Sequence, residues 1–450
     1  MALVNEQNQH SGFQPVGFAN PVLYGLGKSN LASKYFTDIH DGSATNSYTP
    51  GTDSCKFPAD TLNGPGFSTV TGYDLATGWG SPKCGLINQL ASPTPLPAVS
   101  ISAGFEHSCA VLSDHSVRCW GYNGEGDLGN GTTGDSDSPT IATGVSAVAA
   151  ISAGSLHTCA LLTGGTVQCW GSNASGQLGN GTTVDSPTAV NVTGVSGAIG
   201  ISAGSGHTCA VLASGSIQCW GANPCGQLGN YTTTDSSVPV TVSITNPVGV
   251  AAGVDHTCAW TGSGYVYCWG CNDLGQLGNG TTNNSPFPVI ANNSLAYPVT
   301  AVSSGAYYSC ALGINGSVYC WGWNNYGTLG IGTDNGVFDF NWVPTAVLGI
   351  SSAASISAGD YNACAVLADG TVKCWGLNDS GELGDGSTGG IIPSPVSVSG
   401  LSQAVAVTVG SEHSCALSPG AVTCWGWNQN GQLGNGTTSD SSSPAVVTFH

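Results

Sequence analysis

The sequence predicts a mainly β fold: a seven-bladed β-propeller preceded by a small partial α/β segment. Three observations predict it. Cys-Trp-Gly recurs seven times, at Cys119, Cys169, Cys219, Cys268, Cys320, Cys374 and Cys424, in steps of 50, 50, 49, 52, 54 and 50 residues. A fixed period of this size marks a repeat architecture. Glycine is abundant, 68 of 450 residues, while charged residues make up only 7%, a composition of short strands and many turns rather than disorder. Fourteen of the 18 cysteines fall into seven pairs of near-constant spacing, one pair per repeat.

Each repeat divides into four strands, the content of one propeller blade. The second reads ISAGSLHTCALLTGGTVQCWGSNASGQLGNGTT and then a proline-containing stretch. Val-x-x-Ile-Ser-Ala-Gly is one short strand. His-Thr-Cys-Ala-Leu-Leu and Thr-Val-Gln-Cys-Trp-Gly form a hairpin around Thr163-Gly164-Gly165. A Gly-rich turn follows, and the Ser-Pro segment begins the fourth strand.

The hairpin register can be tested on the cysteines. In the sixth repeat the loop Ala368-Asp369-Gly370 sets Leu367 opposite Thr371, and counting back sets Cys364 opposite Cys374. Directly opposed cysteines in a narrow antiparallel pair are close enough to bridge. The seventh repeat has one residue fewer between its cysteines, and its loop, Pro419-Gly420, is also one shorter, so Cys415 still faces Cys424. The same register pairs Cys109 with Cys119, Cys159 with Cys169, Cys209 with Cys219, Cys258 with Cys268 and Cys310 with Cys320. Each bridge closes a short loop and stabilises by roughly 2–3 kcal/mol in the chain-entropy description. A spacing of ten does not match zinc ligand pairs. Cys225 and Cys271 occupy nearby places in the third and fourth repeats and are expected to join those blades. Cys55 and Cys84 lie outside the repeats and are expected to pair.

Charge and cysteine content bound the function. Net charge is −19. From residue 98 onward 19 acids face two bases, Arg118 and Lys373, which gives −17. A binder of phosphate backbones needs a basic stripe, so nucleic acid and anionic membrane are excluded as expected partners. No apolar run is long enough to span a bilayer, and a soluble chain is expected. Regular disulfides point to a secreted or extracellular protein. The N-terminus, MALVNEQNQHSGFQP, is not a signal peptide, and the expectation is that the true beginning lies upstream.

The pattern Ala-Gly-x-x-His-x-Cys-Ala-Leu, then Gly-x-Val-x-Cys-Trp-Gly-x-Asn-x-x-Gly-Gln-Leu-Gly, resembles the regulator of chromosome condensation repeat family over residues 98–450. That resemblance implies a seven-bladed propeller. Secreted members of the family include protein inhibitors, so it also implies protein binding. The hairpin cysteines and the acidity depart from the nuclear members. No blade carries a long hairpin insertion of the kind used for nucleotide exchange on a small GTPase, so exchange activity is not carried over.

Residues 1–92 have a different texture, and residues 93–97 complete a proline-rich linker. Gly17-Phe-Ala-Asn-Pro-Val-Leu-Tyr24, Phe36-Thr-Asp-Ile-His-Asp-Gly42 and Gly72-Tyr-Asp-Leu-Ala-Thr-Gly-Trp-Gly-Ser-Pro82 resemble, in that order, the C-terminal end of the sedolisin family of serine-carboxyl peptidases. The resemblance implies a structural calcium ion, with carboxylates from Asp38 and Asp74 and backbone carbonyls from Ile39, Val70 and Gly72. Such hard oxygen ligands suit Ca²⁺. The family usually has Gly where Val70 stands. No cofactor is expected in the propeller. The family's nucleophile motif, Ser-Gly-Thr-Ser, does not occur in the chain, and Glu6, Asp38 and Asp41 do not supply the base and oxyanion stabiliser that an activated serine needs. No catalytic residue is therefore assigned, and this chain alone is not expected to be an active peptidase.

Inside the propeller, His107, His157, His207, His256 and His413 each stand two residues before a hairpin cysteine, with Tyr308 and Asn362 in the other two repeats. Spread over different blades, they read as a repeated structural hydrogen bond. Asn-Gly-Thr at Asn130, Asn180, Asn279 and Asn435 reads as turn chemistry. Positions that vary within the repeat are the binding candidates: Phe105, Tyr122, Tyr307, Trp323, Phe338, Trp342, Tyr361 and Trp427. Loop aromatics are enriched at binding hot spots.

The expected function is a secreted, non-catalytic module that binds a protein or glycan on a propeller face, as a monomer. The alternative is the accessory C-terminal part of an extracellular sedolisin-type endopeptidase whose catalytic residues lie upstream.

Overall fold

The computed structural model describes residues 96–291, 295–334, 336 and 339–449, together with the backbone of four two-residue strands nearer the N-terminus. The chain divides into two units, Met1–Pro95 and Leu96–His450. In the first, Phe36–Thr37 pairs with Ser81–Pro82, and Thr69–Val70 with Tyr73–Asp74, both antiparallel. The calcium ligand set Asp38, Ile39, Val70, Gly72 and Asp74, the pair Cys55 and Cys84, and Phe338 fall outside the residues whose side chains are described.

The second unit is a seven-bladed propeller with no helix among the described residues. Seven four-stranded antiparallel sheets follow one another, each with its strands in chain order. The second blade comprises Val148–Ala153, His157–Leu162, Val167–Gly171 and Ser186–Asn191. Blade 1 starts at Ala98 and blade 7 ends with Ser441–Val446. Every blade is built from one continuous repeat, so contacts between whole blades close the ring rather than a shared strand, backbone bonds such as Gly436 N to Asp137 O among them.

The Cys-Trp-Gly motif explains each blade. The cysteines pair across the second and third strands in all seven hairpins, including Cys364 with Cys374 and Cys415 with Cys424. Their disulfides span Cα separations of 4.0–4.1 Å. Cys225 and Cys271 join blades 3 and 4. The tryptophan is a plug between blades: Trp220 of blade 3, fully buried, packs on Cys159, Leu161, Val167 and Leu178 of blade 2. Its indole Nε1 donates to the Gln177 carbonyl, also of blade 2. Trp120 closes the ring by packing on blade 7 and donating to Gln432 O. The glycine sits at a bulge where register to the fourth strand shifts, with φ between +100° and +120°. That conformation strains any residue with a Cβ.

The axis depends on seven more glycines: Gly104, Gly154, Gly204, Gly253, Gly305, Gly359 and Gly410. A Cβ on any of them would overlap the carbonyl oxygen of the next glycine around the ring. The inner-strand serines stitch neighbouring blades. Ser102, Ser152, Ser202, Ser303 and Ser357 each accept a backbone N–H from the following blade.

Candidate functional site

Antiparallel order puts two kinds of loop on one face: the short turns between first and second strands, and the long loops between third and fourth. The long loops are held by a buried asparagine. Asn173 accepts from Leu178 N and donates through Nδ2 to the carbonyls of Thr182 and Val184. Asn123, Asn223, Asn272 and Asn428 do the equivalent in their own loops. Asn130 accepts from Thr132 N and Oγ1, which makes the Asn-Gly-Thr segment a side-chain-stabilised turn.

Beneath this face the repeated histidines link blade to blade. His107 meets Thr158, His157 meets Thr208, His207 meets Thr257, His256 meets Ser309 and His413 meets Ser108, each at 2.8 Å through Nε2. The partner hydroxyls donate onward to carbonyls of Asp127, Gln177, Gln227, Gln276 and Gln432. A hydroxyl that donates its proton to a carbonyl must accept from the ring, so each Nε2 carries the hydrogen. Burial drives the imidazoles down to about 4 for His107 and about 3 for the other four, so they are neutral. They are structural groups, as their repetition in separate blades implied. Blade 5 departs from the rule: Tyr308 reaches over Ala363, which has no hydroxyl, to donate to Asn362 O at 2.8 Å.

The binding candidates on the face form two groups, and outside them Tyr231 of a long loop stacks on Phe287 at 5.4 Å. Tyr307 and Trp323 of blade 5 stand 5.7 Å apart, and Tyr361 of blade 6 joins Trp323 at 6.4 Å. Tyr326, not anticipated from the sequence, completes the group at 5.2 Å from Trp323 and 5.1 Å from Tyr361. All these contacts are edge-to-face, a favourable aromatic geometry. The signal for Tyr326 was available: its repeat position holds Glu125, Ser175, Cys225, Leu274, Ser380 and Asn430 elsewhere.

The second group lies where blade 7 meets blade 1. Phe105, Glu106, Ser411, Glu412 and Trp427 line a pocket of about 220 Å³. Tyr122 is anchored beside it, its N–H donating to Glu106 O. Trp342 is not brought to either group. It lies on the outermost strand of blade 5, stacked on Phe340 at 5.9 Å, because the extra residues fall in the loop before that strand and leave Trp342 at a regular strand position.

Acids run along the same arc. Burial and nearby Glu412 raise the Glu106 carboxyl, against a hydrogen bond from Asn430 Nδ2 at 2.7 Å. Burial, with Asp379 and Asp440, raises Glu412. Burial pushes Glu382 up to about 7 and Asp360 up to about 6. Blades 2 and 3 present Ser155, Leu156, Ser172, Ser205, Gly206 and Ala222 at the matching positions, with no charge and no aromatic ring.

The family model of the RCC1-like domain matches residues 143–450, and models of the regulator of chromosome condensation repeat match residues 98–127 and 114–161. The chain belongs to the RCC1-like domain family. Human E3 ubiquitin-protein ligase HERC2 is 36% identical over 123 residues, 27% of this chain and 2% of that protein. Human probable E3 ubiquitin-protein ligase HERC4 is 31% identical over 121 residues, 27% of this chain and 11% of that protein. The alignments thus span a small fraction of these curated relatives. Among solved structures, Prp20p of Saccharomyces cerevisiae, described with its binding properties to Gsp1p and histones, superposes with a TM-score of 0.67 at 22% identity. That match covers 79% of this chain and 88% of Prp20p. Human WBSCR16 gives a TM-score of 0.66 at 20% identity over 81% and 93% of the two chains. At such identities the likeness establishes the fold of this RCC1-like propeller.

Proposed function

We propose that the RCC1-like propeller is a secreted, monomeric, non-catalytic module that captures a protein ligand through the face formed by its first-to-second and third-to-fourth strand loops. The observation that carries this reading is the group of partly exposed rings, Tyr307, Trp323, Tyr326 and Tyr361, contributed by two blades to one surface. Rigid aromatic groups give large contact area at little entropic cost. The binding of Prp20p to Gsp1p and histones is in keeping with a protein ligand. The disulfides support the extracellular assignment.

Photocrosslinking from position 326 identifies the ligand, and binding is then measured with the purified partner. The triple substitution Tyr307→Ala, Trp323→Ala and Tyr361→Ala is expected to lower affinity at least a hundredfold without lowering the thermal midpoint by more than a few degrees. Retained affinity refutes this choice of surface, and saturable binding to a glycan array instead assigns a glycan.

The three N-terminal blocks favour a second reading, in which the propeller is the accessory part of a sedolisin-type endopeptidase with calcium held by Asp38, Ile39, Val70, Gly72 and Asp74. An in-frame Ser-Gly-Thr-Ser upstream of Met1 supports it, and a stop codon there removes it.

A further inference from the structure

We propose that the pocket between blades 7 and 1 receives a lysine or arginine side chain of the captured partner, so that the ligand of this face is a basic segment. The inference rests on the binding reading above and names its chemistry.

Four features of the pocket converge on a cation. It has volume, about 220 Å³, enough for a charged head group and the methylene stem behind it. Its walls include two aromatic side chains, Phe105 and Trp427, and aromatic faces attract cations. It carries two carboxylates, Glu106 and Glu412, close enough that Glu412 raises the Glu106 carboxyl. Among the described residues no countercharge faces it: the propeller's two bases lie elsewhere, Arg118 near Asp114 and Lys373 with Nζ on Gly349 O.

The equivalent seam between blades 3 and 4 shows what a closed version looks like. There Gln227 Nε2 donates to Asp255 Oδ1 in the turn of the next blade, at 3.2 Å. Gln432 holds the same repeat position at the blade 7–1 seam. It is fully buried, and its Nε2 has no partner. Glu106 is turned to Asn430 instead. At one seam the turn carboxylate is held by the glutamine of the preceding blade, whereas at the other Glu106 takes Asn430 instead and both carboxylates line an open pocket. A cation entering between Trp427 and Phe105 would meet both carboxylates, and its long stem would lie against the rings.

The test uses the full chain, with Nα-acetyl-arginine amide, Nα-acetyl-lysine amide and the uncharged isostere Nα-acetyl-citrulline amide as probes. The indole ¹H–¹⁵N resonance of Trp427, assigned by loss in Trp427→Phe, reports occupancy. The cationic probes are expected to shift it saturably, and the citrulline amide to shift it at least tenfold less at equal concentration. E106Q/E412Q should weaken the arginine amide at least tenfold. D114N/D369N, which removes the same charge from hairpins of the opposite face, should change it less than twofold. Equal effects from the two double variants would mean a diffuse field and overturn the proposal, as would equal shifts from arginine and citrulline amides. The two proposals fail separately. If the blade 5–6 triple variant loses its partner while arginine amide does not bind, the pocket falls and the binding face stands. If arginine amide binds while that variant keeps its partner, the choice of blades 5 and 6 falls and the pocket stands.

Discussion

Blades 2 and 3 obey the repeat at nearly every position, whereas blades 5 and 6 break it in two different ways. Below the surface, Tyr308, Asn362 and Ala363 replace the His and hydroxyl pairs seen as His157 with Thr208 and His207 with Thr257. There the departures compensate one another: Ala363 offers no acceptor, and the longer Tyr308 finds the Asn362 carbonyl behind it. On the face, Tyr307, Trp323, Tyr326 and Tyr361 stand where blades 2 and 3 carry small neutral residues and Leu156. No buried partner requires them. The buried irregularity is answered by the neighbouring blade, while the surface rings pack on one another and stay partly exposed. This contrast is why the varied face, and not the histidine ring, is the one proposed to bind.

The largest effects should fall equally on the two regions, because both rest on the same plug. Trp220→Ala in blade 3 and Trp375→Ala in blade 6 each empty a fully buried site, and each should cost about 3–5 kcal/mol in denaturant unfolding. A difference between them of more than ~2 kcal/mol would break the equivalence of the cores.

The seams should cost less and separate the regions. Thr208→Ala leaves the His157 Nε2–H buried without an acceptor and should cost about 1–3 kcal/mol. In blade 5, Tyr308→His alone loses the bond to Asn362 O. Adding Ala363→Ser restores the regular link, so a double-mutant cycle should show favourable coupling of about 1 kcal/mol. Zero coupling would show that the blade 5–6 seam is not a rearranged copy of the others.

Acidification should have a smaller effect per group. For a histidine depressed from 6.5 to about 3, the unfolded chain binds the proton first. Its contribution is full above pH 6.5 and is lost as pH falls toward 3, at up to about 1.4 kcal/mol per pH unit. The raised carboxylates act oppositely. With Glu382 at about 7 and Asp360 at about 6 in the folded state, folding takes up protons, so they add stability as pH falls toward about 4. Both are in blade 6, whereas blades 2 and 3 contribute only their histidines. His157→Gln should therefore flatten the fall in thermal midpoint between pH 6.5 and about 4. Glu382→Gln should steepen it. An unchanged slope in both variants would remove the linkage.

Much of the fold was legible because its rules are local. The hairpin loop fixes register over about ten residues, so Cys415 could be placed opposite Cys424 from loop length alone, and the structure pairs them. The histidines read correctly as structural because a group repeated in separate blades does not converge on one site. The site was less legible. Trp342 looked like a loop aromatic but belongs to an outer strand, and Tyr326 was hidden at a position that only the fold brings beside Tyr361. Glu106 and Asn430, 324 positions apart, share a hydrogen bond only because the ring closes. Repeat count, strand pairing inside each blade and the hairpin bridges follow from the amino-acid order alone, since each depends on neighbours within a single repeat. Which irregular side chains meet on the face, and where a pocket opens, was settled only in three dimensions, because those contacts cross between blades and depend on closing the circle.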